Sequence, residues 1–171
     1  MKNIVLTGFM GVGKTTAGRE LARKLGMKFF DIDEVVEKEE GRTIAQIFEE
    51  DGEEYFRKRE DRVFRKLLDE ESAVISTGGG TFENFELRKL CNQKATSVCL
   101  ISSFETTAKR IEVLKKDRPV LRNKSTEDIR ELYELRLKYY AECDLRLEVD
   151  RLSSNQIVEE ISRFLMDRKG E

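Results

Sequence analysis

The chain has 171 residues, 32 basic and 34 acidic for a net charge of −2, and 39% of it is hydrophobic. That is the length of one domain with one ordinary core, expected to run over 1–171, and its near-zero balance of mixed charge leaves no footprint for nucleic acid or a membrane surface. His is absent, which excludes Ser-His-Asp triads, imidazole acid–base chemistry and His metal ligands.

The first apolar run, Asn3–Thr7, predicts a strand, and a helical pattern follows over Thr15–Leu25. Between them Gly8-Phe9-Met10-Gly11-Val12-Gly13-Lys14-Thr15 fits G-x-x-x-x-G-K-[ST], the phosphate loop in its proper strand-to-helix context. Glycines let backbone N–H groups converge on a phosphate, and the helix N-terminus adds its dipole. A lysine in this position reaches the β- and γ-phosphates, and a threonine hydroxyl here suits Mg²⁺. The candidate nucleotide-binding residues are therefore Gly11, Val12, Gly13, Lys14, Thr15 and Thr16, with Thr15 also a metal ligand. The same glycines and Lys14 interrupt the N-terminal apolar run, which argues against a secretion signal. No stretch approaches the ~20 apolar residues of a membrane-spanning helix. Cys91, Cys99 and Cys143 lack metal-ligand spacing and predict a reducing, cytoplasmic compartment.

The second predicted strand, Lys28–Ile32, runs into Asp31-Ile32-Asp33. Ligands of open parallel sheets sit beyond the carboxyl ends of the strands, so both carboxylates belong near the site. One can hold Mg²⁺ through water while the other accepts a hydroxyl proton; the competing reading makes Asp33 an N-cap for a helix at Glu34–Glu39. A longer helix is predicted over Glu53–Leu68. In it Arg57 has Glu53, Glu60 and Asp61 at neighbour spacings, either a solvated salt-bridge face or an arginine oriented by Glu60.

The third strand, Ala73–Ser76, ends in Thr77-Gly78-Gly79-Gly80; three consecutive glycines suit a close approach of backbone to ligand. Ser76 stands where many such strands end in Asp, which shifts the magnesium role toward Asp31 and Asp33. Then come a helix at Phe85–Leu90, a strand at Ser97–Ile101 with Cys99 in its apolar run, and a helix at Thr106–Leu114. Lys115–Ser125 is basic, irregular and holds the only proline, a surface loop or a lid over about 112–125. A helix over Glu127–Ala141 sets Arg136 between Tyr133 and Tyr140, and a strand at Leu145–Val149 and a helix at Asn155–Phe164 close the chain. This alternation predicts an α/β fold in three layers: a five-stranded parallel sheet with helices on both faces.

No N-K-x-D base-recognition motif is present, since Asn123-Lys124 is followed by Ser125-Thr126, and the length suits a small-metabolite kinase. The segments GFMGVGKTTAGRELARKLG, FFDID, GEEYFRKRE, STGGG, DRPVL and ELRLKYYAECD occur in the order seen in shikimate kinases, and nearly the whole chain resembles that family. The resemblance implies transfer of the ATP γ-phosphoryl group to the 3-hydroxyl of shikimate. By position it implies that Asp33 is the base, that Asp31 accompanies magnesium, and that Arg57, Arg136, Gly78, Gly79 and Gly80 hold the acceptor. It further implies that Arg118 reaches the transferring phosphate from the lid and that Arg110 lies on the adenine side. The stretch Arg151–Gln156 lacks the proline that family members often carry there. The expected partners are ATP, Mg²⁺ and shikimate, with the protein a monomer. Two other readings remain open at this point: a related kinase for an acid such as gluconate, and a silent nucleotide-binding module, which would tolerate loss of Lys14, Thr15, Asp33 or Arg118.

Overall fold

In the computed structural model, residues 2–115 and 119–168 are described. Five strands, β1 (Asn3–Gly8), β2 (Lys28–Asp31), β3 (Ala73–Ser76), β4 (Ala95–Ile101) and β5 (Leu145–Glu148), form one parallel sheet in the order β2-β3-β1-β4-β5. Parallel neighbours need crossovers, and helices supply them. The chain leaves central β1 through α1 (Lys14–Leu25) to edge strand β2. It returns to β3 through α2 (Ile32–Glu40) and α3 (Ile44–Leu68), and passes β1 again to reach β4 through α4 (Phe85–Lys94). Connections from β1 and β3 thus run in opposite directions across the sheet and open a crevice at the carboxyl ends, where such folds bind ligands. Thr77 N–H donates to Leu6 O at 2.9 Å and holds the glycine run against the start of the phosphate loop.

Both sheet faces are buried, as a parallel sheet requires. Ile4 and Leu6 of β1, Val74 of β3, and Val98 and Leu100 of β4 point into one core with Leu21 of α1 and with Ile157 and Ile161 of α7 (Ser154–Asp167). Their neighbours Val5, Ile75 and Cys99 point the other way, toward Val36, Phe56, Phe64 and Leu87. A third cluster, Phe9, Met10, Ile111, Leu121, Ile129 and Tyr133, joins the phosphate loop to α5 (Phe104–Leu114) and α6 (Thr126–Tyr140).

Three local features depart from the expectations. The stretch preceding Glu53 is helical back to Ile44, and a break at Gly52 (φ 82°, ψ 174°) separates it from the helix carrying Arg57. Its start is fixed by Thr43, whose hydroxyl accepts from Gln46 N–H while the Gln46 side chain accepts from Thr43 N–H. The cap of α2 is Asp31, not Asp33: Asp31 Oδ1 accepts from the N–H groups of Asp33 (3.0 Å) and Glu34 (3.3 Å). Finally, α4 continues to Lys94, so β4 begins at Ala95, two residues before the expected Ser97.

Candidate active site

The phosphate loop delivers α1 with its first turn turned toward the crevice. Gly13 caps that helix in the left-handed region (φ 100°) and supplies no side-chain cap, and the first turn holds no acidic residue. That terminus is suited to an anion. Gly8 is demanded by space, because a Cβ there would stand 2.5 Å from Leu100 O. Lys14 Nζ folds back over the loop and donates to the carbonyls of Gly8 (2.7 Å) and Phe9 (3.1 Å). Arg110, on α5, donates to Gly11 O (3.2 Å) and Ser102 Oγ (3.1 Å), so it flanks the loop on the side away from the glycine run.

Thr15 Oγ1 donates to Asp31 Oδ2 at 2.7 Å. One carboxylate therefore serves twice, its Oδ1 capping α2 and its Oδ2 meeting the phosphate-loop hydroxyl. A hydroxyl and a carboxylate beside a phosphate cleft are a donor set that fits Mg²⁺, an ion usually held by one or two protein oxygens plus water and substrate phosphates. Among the described residues no group of three His, Cys, Asp or Glu forms a cage. The second strand ends at Asp31, one residue before the expected Ile32. Asp33 lies in the first turn of α2, and the helix start swings it into the same crevice.

Two adjoining cavities result. The first, of about 200 Å³, is lined by Gly11, Gly13, Lys14, Thr15, Thr16, Asp31 and Ser76. The second, of about 50 Å³, is lined by Ile44, Phe48, Arg57, Glu60, Gly80, Val120 and Arg136. Met10, Asp33, Gly78 and Gly79 line both, so that Asp33 is, among the described residues, the one carboxylate common to the two.

The glycine run is the floor of the second cavity. A Cβ on Gly78 would stand 2.7 Å from Glu60 Oε2 and 3.6 Å from Asp33 Oδ1; one on Gly79 would stand 3.0 Å from Arg136 Nη1. Arg57 donates to Glu60 (2.9 Å) and Glu53 (3.2 Å). Burial pulls its guanidinium pKa down, but the charge and hydrogen bond of Glu60, with Glu53 behind it, outweigh that and leave the pKa raised. Asp61, the third acid near Arg57 in sequence, pairs with Arg65 instead. Glu60 is itself buried and accepts from Thr81 Oγ1 at 2.9 Å, so it orients Arg57 rather than lying on a solvated face.

Arg136 is 2% exposed, stacked 5.4 Å from the Phe9 ring centroid, and its buried Nη1 has no hydrogen-bond partner among the described residues. An unpartnered buried donor is costly unless a ligand completes it. Tyr133 and Tyr140, its helix neighbours, are buried as well. Tyr133 donates to Ser102 O and Tyr140 to Gly79 O, each at 2.6 Å, and burial pushes both phenols above the ordinary tyrosine pKa.

The structure thus brings Gly11, Gly13, Lys14, Thr15, Thr16, Asp31, Asp33, Arg57, the three glycines and Arg136 around the two cavities, whereas the Val12 side chain packs into the core with Ile4 and Leu6. Arg118 lies outside the described residues, as does part of the expected lid; of that stretch Val120 lines the second cavity and Leu121 belongs to the third core cluster. Ser153, in the stretch without proline, caps α7 by accepting from Gln156 N–H.

A family model described as Shikimate kinase matches residues 10–166. The chain belongs to the shikimate kinase family. A shikimate kinase of Persephonella marina is 44% identical over 161 residues, covering 94% of this chain and 97% of that protein. The structure of a shikimate kinase from Acinetobacter baumannii in complex with shikimate is 32% identical, with a TM-score of 0.93 over 100% of this chain and 96% of that one. A gluconokinase from Sinorhizobium meliloti, at 18% identity and a TM-score of 0.58 over 98% of this chain and 95% of that one, shares the fold. Sequence reasoning passed over two residues that bond to the side chains lining the second cavity: Thr81, which donates to Glu60, and Glu83, which accepts from Arg136. Both sit in a three-residue turn just after the glycine run, and only their spacing from Gly80 hinted at them.

Proposed function

We infer that this chain catalyses the shikimate kinase reaction, moving the γ-phosphoryl group of ATP to the 3-hydroxyl of shikimate to give shikimate 3-phosphate and ADP on the route to chorismate. Family membership supports the reaction class, and the position of Asp33 at the junction of the two cavities supports the assignment of sides. ATP belongs to the cavity of Lys14, with Arg110 toward the adenine. The acceptor belongs to the cavity of Arg57, Gly78, Gly79, Gly80 and Arg136, whose planar guanidinium groups suit a carboxylate better than lysines would.

In this reading Asp33 holds the acceptor hydroxyl in line with the γ-phosphorus and takes its proton as the new O–P bond forms. Lys14 and the N–H groups of the loop neutralise charge on the phosphoryl oxygens, and Arg118 joins them from the lid. Thr15 and Asp31 would hold Mg²⁺, which when bound supplies further neutralisation of the phosphate oxygens. The proposal keeps the 112–125 stretch, from which Val120 lines the second cavity, as a lid that closes over the acceptor and excludes water. No described helix is long and apolar enough to cross a membrane, and the proposal includes a cytoplasmic monomer working as one domain.

ADP release measured with shikimate, with gluconate and with neither acceptor tests this. Turnover with shikimate alone is expected; equal turnover with gluconate, or release indifferent to acceptor, would overturn it.

A further inference from the structure

The two guanidinium groups of the acceptor cavity are anchored differently. Arg57 has both terminal nitrogens engaged, Nη1 by Glu60 and Nη2 by Glu53. Arg136 is gripped from behind: its Nε donates to Glu83 Oε1 at 2.7 Å. Its terminal edge is thereby turned to the glycine run, where Nη1 is buried without a partner among the described residues and Nη2 is 2.9 Å from where a Gly80 Cβ would stand.

Glu83 ends the 3-10 turn Thr81–Glu83, and that turn is clamped. Thr81 N–H donates to Gly78 O and Glu83 N–H to Gly80 O, while Arg88 Nη1 donates to the carbonyls of Phe82 (2.6 Å) and Glu83 (3.2 Å). Arg88 is itself buried and paired through Nε with Glu142. One short turn thus sets both arginines, Arg57 by way of Thr81 and Glu60, and Arg136 by way of Glu83.

From this geometry we propose that Glu83 is a positioning residue that presents the terminal edge of Arg136 to the acceptor carboxylate. The proposal rests on the reading above that Arg136 binds that carboxylate. A long, flexible stem gives arginine many rotamers, and a fixed partner on Nε selects the one whose remaining donors converge. The Glu83 charge also opposes an incoming anion. Its side chain is 37% exposed, however, so water screens that repulsion, whereas the loss of orientation is not screened.

Steady-state kinetics of Glu83→Ala, Glu83→Gln, Arg136→Ala and the Glu83→Ala/Arg136→Ala double variant separate the possibilities. Glu83→Ala is expected to raise the shikimate KM about tenfold while moving kcat and the ATP KM far less. Glu83→Gln keeps an oxygen for Nε and should recover most of the loss. The double variant should match Arg136→Ala alone, because Glu83 acts through Arg136. A shikimate KM for Glu83→Ala that stays level or falls, equal damage from Ala and Gln, or additive effects in the double variant would overturn the proposal. If Arg136→Ala leaves the shikimate KM untouched, the acceptor-site reading fails instead. Should Glu83→Ala not fold, Glu83→Asp carries the test: the shortened carboxylate should raise the shikimate KM without a matching fall in Tm, and an unchanged KM would contradict the role.

Discussion

Arg57 and Arg136 come from different helices and meet over one backbone position: a Cβ on Gly80 would lie 2.7 Å from Arg57 Nη2 and 2.9 Å from Arg136 Nη2. Gly80 itself has φ −97° and ψ −4°, a conformation open to any residue, so the glycine is there for room and not for backbone freedom. Gly80→Ala should fold nearly as well as the parent, because the arginine ends can shift. That shift disturbs the pair, and kcat/KM for shikimate should fall about a hundredfold with the ATP KM little changed. Thermal melts and steady-state kinetics on the same sample check this; intact kcat/KM would mean that the two arginines do not act together on the acceptor.

Asp33 is where the two cavities touch, and its assigned work is proton transfer and alignment. Asp33→Asn keeps the shape and removes the base, so kcat should drop by about 10² to 10⁴. Nucleotide affinity, measured by calorimetry, should hold. A kcat near that of the parent would take Asp33 out of the chemistry and leave it as an ordinary first-turn acid of α2.

Arg118 is assigned by resemblance alone, to charge neutralisation in the transition state. Arg118→Ala should lower kcat by about 10³ with a smaller effect on either KM, as for an arginine that acts only on the transferring phosphoryl group. An unchanged kcat would remove it from the mechanism.

The order and type of the elements were legible because both faces of a parallel sheet are covered: short apolar runs such as Asn3–Thr7 and Ala73–Ser76 alternate with helix-period patterns. The phosphate loop was equally plain, since its chemistry is local in sequence. What escaped was set by tertiary contact or by capping. The helix from Ile44 was missed although Thr43-x-x-Gln46 announced its start, because Gly52 breaks the periodicity before Glu53. The second strand was carried one residue too far, to Ile32, because the Asp31 side chain ends it by capping the next helix. The Arg57–Glu60 pair was readable as a spacing. The Arg136–Glu83 pair joins residues 53 apart, and nothing in a single sequence brings them together.

The cysteines offer an independent check of the packing. Cys91 and Cys99 are fully buried and Cys143 only partly. Burial pushes the Cys91 thiol well up; the hydrogen bond with Cys143, reinforced by burial, does the same to Cys99. Iodoacetamide on the native protein should therefore label Cys143 first, with Cys91 and Cys99 reacting only on unfolding, as peptide mapping would show. The sign for stability follows from both folded values lying above the unfolded one. Their contribution is complete below the ordinary thiol value of about 8.5 and is lost as pH rises past it, so the urea midpoint should decline between about pH 8 and 10. Early labelling of Cys91, or a midpoint flat across that range, would contradict the packing.

The most direct measurement is a crystal structure with shikimate and ADP both bound. The carboxylate of the acid should lie between Arg57 and Arg136 over Gly79 and Gly80, its oxygens within about 3 Å of guanidinium nitrogens, with the 3-hydroxyl against Asp33. A carboxylate lodged away from both arginines would contradict the account at its centre.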